Sequence, residues 1–143
     1  MSAMEDAEVL SAAIGSDESV VVTGVVGRLG KRVVRLLHRM VRVIGVDRRE
    51  FPDRPKDVTH LRIDLRRKKM RDVFRAGNVR AVVHLGVMHD PRASANDHHS
   101  WNVVGFGKML ESMAQFGVKK LVVLSSASVY GPRPDNPQFL AEE

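Results

Sequence analysis

Five short apolar runs recur along this chain, each separated from the next by a polar or helix-spaced segment. That alternation limits the fold more than any other feature. The first run, SVVVT at 19–23, is β-branched and ends in glycine. Further runs follow at 41–46, 58–63, 79–85 and 118–124. Each is too short for a buried helix and too continuous for a half-exposed strand, so each reads as a strand buried on both faces. Between them, apolar residues at 29, 33, 34, 36, 37 and 40 keep helical spacing with a basic outer face. A short helix is expected at 66–76, with Gly77 as its C-cap, and the longest helix at 100–116. Residues 48–57 and 88–99 read as polar loops. Strands alternating with helices predict an α/β fold: a doubly wound parallel sheet of about five strands.

The chain has 143 residues, which fits one domain. An acidic, flexible leader is expected over 1–18, with the folded domain over 19–143. Charge is unevenly spread. Residues 1–27 carry a net charge of −5, residues 28–75 carry +11, and the remainder is neutral. The basic stretch, densest at Arg66-Arg67-Lys68-Lys69, reads as a solvated helix face. No aromatic residues interleave it as stacking platforms, which argues against a nucleic-acid partner. There are no cysteines, so disulfides, thiolate metal sites and a cysteine nucleophile are excluded. No apolar run is long enough to span a membrane, and a cytoplasmic protein is expected. His89, Asp90, Asp97, His98 and His99 form a polar rim, and no metal site is assigned to them. His84, inside a strand, reads as a core histidine.

The segment that carries chemistry is TGVVGRLG at 23–30, between the first strand and the first helix. Gly24 permits a tight turn out of the strand. Gly27 leaves bare backbone for a pyrophosphate to approach. Gly30 lets the helix pack closely, and free N–H groups at the helix start, at Arg28 and Leu29, face the phosphates. Asp47 closes the second strand, 17 residues after Gly30. An acid there accepts hydrogen bonds from an adenosine ribose and favours NAD, whereas Arg48, Arg49 and Arg28 leave NADP as the alternative cofactor.

With these residues the chain resembles the extended short-chain dehydrogenase/reductase family, which includes the NAD-dependent epimerases and dehydratases of nucleotide sugars. Further segments match in order. Asp64-Leu65 corresponds to the pair the family places near adenine. Val83-His84-Leu85-Gly86 resembles its cofactor-lining segment. Asn102-Val103-Val104-Gly105 resembles its N-x-x-G, and Ser125 to Gly131 its S-S-x-x-V-Y-G.

The resemblance implies that Ser126 hydrogen-bonds the reacting oxygen of a substrate and that Asn102 holds the geometry of the active-site helix. It implies a Tyr-x-x-x-Lys base some 25 residues beyond the serine, a pair this chain does not contain. The chain is therefore expected to be the dinucleotide-binding portion of a longer enzyme that exchanges hydride at a hydroxyl-bearing carbon, inactive by itself. The alternative is a non-catalytic dinucleotide-sensing module acting through a partner. An apolar edge at the fifth strand is expected to drive homo-oligomer formation.

Overall fold

The structure, a computed structural model, describes residues 17–76 and 78–138. The leader expected up to residue 16 and the cap expected at Gly77 lie outside the described residues. Five strands form one sheet: β1 (Ser19–Thr23), β2 (Arg42–Asp47), β3 (Thr59–Arg62), β4 (Val79–His84) and β5 (Lys120–Val123). Their order is β3-β2-β1-β4-β5, and every neighbouring pair is parallel. The chain thus winds outward in one direction from β1 and then reverses to start again at β4. In such sheets the crevice outside the C-terminal ends of the two central strands is where ligands bind.

Two cores, one on each face, follow from the period-2 alternation of the strands. Val20 and Val22 pack with Val34 of helix α1 (Arg28–Leu37), Val43 and Phe51. Val21, Ile44, Val46 and Val82 pack on the opposite face with Met70, Val73 and Phe74 of helix α2 (Lys69–Ala76). Helix α3 (Ala95–His99) continues through a wider, π-type segment (Ser100–Gly105) into α4 (Phe106–Gln115), which adds Trp101, Met109 and Met113 to that second core.

Three expectations need correction. The 48–57 loop contains Phe51, which is fully buried beneath α1. The 88–99 loop contains α3, started by a capping box in which Ser94 and Asp97 bond each other's backbone N–H. Full burial holds for β1, but in β5 Lys120, Val122 and Val123 are exposed and only Leu121 is half-buried. Among the described residues no helix is long and apolar enough to cross a membrane.

Candidate functional site

A cleft of about 670 Å³ opens at the C-terminal ends of β1, β2 and β4, at the point where the strand order reverses. Its floor begins at Thr23. The Thr23 hydroxyl accepts from the backbone N–H groups of Leu85 and Gly86, both at 3.2 Å, and lies 2.7 Å from Nδ1 of His84. With both lone pairs engaged, the hydroxyl has its proton left to donate to Nδ1, which places the imidazole proton on Nε2. His84 is buried, stacks on Phe106, and its pKa is pushed down to about 4 by burial. It is a neutral core residue that fixes the start of the segment after β4.

Gly24 follows with φ +72°, a conformation that side chains resist, and a Cβ there would lie 2.7 Å from the Gly86 nitrogen. The two glycines let the exits of β1 and β4 touch. A Cβ at Gly30 would sit 2.1 Å from the Gly24 carbonyl oxygen, so α1 can pack onto the turn only with glycine at that position. Gly27 differs. Its Cβ would meet only the Gly24 oxygen, at 3.3 Å, and the remaining space is open cleft. Gly27 caps α1 without a side-chain hydrogen bond, and the first turn of the helix contains no acid. The N–H groups at this end are therefore ready for an anion.

Asp47 closes the far side of the turn. Its Oδ2 accepts from the Val26 N–H at 3.1 Å, and its Oδ1 accepts from the Arg49 N–H at 3.0 Å. The Arg49 guanidinium adds bonds to both oxygens. Burial pushes the Asp47 carboxyl up, but the bonds from Arg49 and Val26 outweigh it and hold the group below its usual value. Asp64 is held low chiefly by its side-chain bonds with Arg66, the shortest at 2.7 Å.

The π-type segment sets the cleft's other wall. Consecutive residues Trp101 and Asn102 both reach the segment after β4. The Trp101 indole N–H donates to the Gly86 carbonyl, and Asn102 both accepts from the Met88 N–H and donates to its carbonyl, each at 2.8 Å. Such widened turns often occur at functional sites.

Of the residues expected from sequence, Gly24, Gly27, Asp47, Arg48, Leu65, Leu85 and Gly86 line the cleft together. Arg28, Leu29, Gly30, Asp64, Asn102 and Ser126 do not line it. Arg28 and Leu29 are exposed at the start of α1, Gly30 lies beneath the turn, and Asn102 acts through Met88. Ser126 is exposed and caps the 3-10 turn Ala127–Tyr130, its hydroxyl accepting from the Ser128 N–H. Sequence reasoning missed the cleft-lining role of Trp101, Val87 and Met88, whereas His89, Asp90 and Asp97 of the expected polar rim do line the cleft.

The NAD dependent epimerase/dehydratase family matches residues 20–143. The UDP-glucose 4-epimerase 4 of Oryza sativa subsp. japonica is 32% identical over 96% of this chain and 42% of its own length. A UDP-glucose 4-epimerase from Klebsiella pneumoniae is 32% identical over 82% of this chain and 96% of that sequence. Among solved structures, MoeE5 in complex with UDP-glucuronic acid and NAD superposes with a TM-score of 0.71, at 31% identity, over 83% of this chain and 40% of that one. The chain thus spans about two fifths of the length of the rice relative and of that solved structure.

Proposed function

The chain belongs to the NAD dependent epimerase/dehydratase family, and from that premise we propose that its cleft is the seat of NAD in an enzyme acting on nucleotide sugars. The observation that carries this reading is the open backbone at Gly27, where a Cβ would find no neighbour but the Gly24 oxygen. A pyrophosphate fits there, over the N–H groups of Arg28 and Leu29 at the start of α1, the Gly27 N–H being held by the Gly24 carbonyl at 3.2 Å. Asp47 and Arg48 hold the adenosine ribose. Leu65, next to Asp64, lies beside the adenine, and Leu85 and Gly86 support the nicotinamide half. Asn102 keeps the segment after β4 in place through its paired bonds to Met88.

Bound NAD supplies a hydride acceptor, and the reaction class is hydride exchange at a hydroxyl-bearing carbon. Ser126 takes the role that the family resemblance implies for it, a hydrogen bond to the reacting oxygen of the substrate. The tyrosine–lysine base implied by the family resemblance is assigned to a longer protein, of which residues 19–143 form the dinucleotide-binding domain, in the cytoplasm. In such a protein the exposed face around β5 is covered, by further polypeptide or by a second copy of this chain. The family membership lends no support to a non-catalytic sensing module.

Calorimetric titration with NAD tests the cradle. NAD should bind this chain, and Gly27→Trp should abolish binding while the variant keeps the circular dichroism of the parent. Equal binding by the variant would refute the assignment.

A further inference from the structure

Resting on the assignment of the cleft to a dinucleotide, we infer that His98 positions the 88–90 wall of that cleft as an imidazolium, so that dinucleotide binding tightens with acidity. His98 is half-buried in α3 and does not itself line the cleft, whereas Met88, His89 and Asp90 do. Both ring nitrogens of His98 face carbonyl oxygens of this segment. Nδ1 lies 3.2 Å from the Met88 oxygen, and Nε2 lies 2.9 Å from the Asp90 oxygen. A carbonyl oxygen only accepts, so each contact needs an N–H on the ring. A neutral imidazole has one N–H and one lone pair, whereas the imidazolium has two N–H groups. Both bonds therefore form only in the charged ring. A neutral ring sets its lone pair against one of the two oxygens and must turn from it.

The segment has few other anchors. Asn102 fixes Met88 at its N–H and its carbonyl. Beyond Met88 the bonds are local. His89 Nδ1 contacts the Val87 carbonyl, the Arg92 guanidinium spans the Asp90 carboxylate, and the Ala93 N–H donates to the Asp90 carbonyl. Among the described residues, only His98 bonds Asp90 from outside the 90–93 turn. The charged groups around the ring are Asp90 and His89 in the segment and Asp97 on α3, with Arg92 and Arg66 acting on those two acids. The exposed His99 follows on α3. Arg92 holds the Asp90 carboxyl below its usual value and Ser94 does so for Asp97, with the His98 charge adding to both. The ring thus joins the cleft wall to α3 at two points when charged and at one when neutral.

The test begins with the whole chain free of ligand, in long-range proton–nitrogen spectra of the imidazole. At about pH 5.5 both ring protons of His98 should be protected from exchange with water, and by about pH 8 only one. The Met88 and Asp90 amide signals should move together with that loss, and in His98→Gln they should stay fixed. NAD should then bind about tenfold more weakly at the higher pH than at the lower, the contribution of one charge-assisted bond. His98→Gln should abolish this dependence, and His89→Gln should keep it. Rapidly exchanging ring protons with fixed Met88 and Asp90 amides, or an equal pH dependence of NAD binding in His98→Gln, would overturn the inference while leaving the cleft assignment intact. Failure of NAD to bind at either pH would overturn the two together.

Discussion

The centre of this sheet and its β5 edge are built from the same residue types and have opposite fates. At the centre, β1 is buried along its whole length, and its exit meets the exit of β4 through touching glycines. At the β5 edge, Val122 is 61% exposed, and Val129 and Tyr130 beyond it are exposed as well. Valine runs record what a strand is meant to be covered by, and only the central strands have their covers among the described residues. The cleft that would hold the dinucleotide is therefore a finished piece of structure. The Ser126 end, where the substrate would react, offers side chains with nothing packed over them.

Paired glycine substitutions should break that comparison most visibly if it is wrong. At Gly30 an added methyl collides with backbone on the cleft side, so Gly30→Ala should cost about 3 kcal/mol or more. Gly117, before β5, has φ +69° and nothing within 4 Å of a Cβ, so Gly117→Ala should cost only the conformational strain, about 1 kcal/mol. Urea unfolding of the two variants measures both, and equal losses would remove the contrast.

Next in size is a pH effect confined to the cleft end. His84 has its pKa lowered from 6.5 to about 4 in the folded chain. The unfolded chain therefore binds a proton first as pH falls, and the contribution of this residue to stability should decline from pH 6.5 down to about 4 and level off below. The decline attributable to this residue is about 3 kcal/mol, and His84→Gln should flatten it. An unchanged slope in that variant would show that the histidine does not couple to folding. The smallest effect on stability belongs to the open end. Val122→Lys should change the unfolding free energy by no more than about 0.5 kcal/mol, yet shift sedimentation toward monomer if the edge self-associates. A parent chain already monomeric at high concentration would count against the proposed second copy.

The parts legible in the sequence were those governed by local geometry. The strand–glycine–helix passage at 23–30 announces the turn, because only backbone without side chains lets the strand exit and the helix converge. Asp47 was legible by its distance from that turn. Its capture by Arg49 was not, because spacing along the chain does not say whether a flexible guanidinium folds back or points away. The same holds for Asp64 and Arg66. Helix α3 lay hidden in a polar stretch, although Ser94-x-x-Asp97 carries a capping signal that could have revealed it. The placement of Trp101 in the cleft depends on the π-type segment, which has no period that a helical pattern would show.

The central claim concerns where a diphosphate rests, and amide chemical shifts read that place residue by residue. On titration of the isotope-labelled chain with NAD, the largest shifts should fall on the backbone N–H groups of Gly27, Arg28 and Leu29, with Gly86 responding from across the cleft. Shifts gathered instead on the exposed basic residues at 66–69, with the glycine turn silent, would contradict the account.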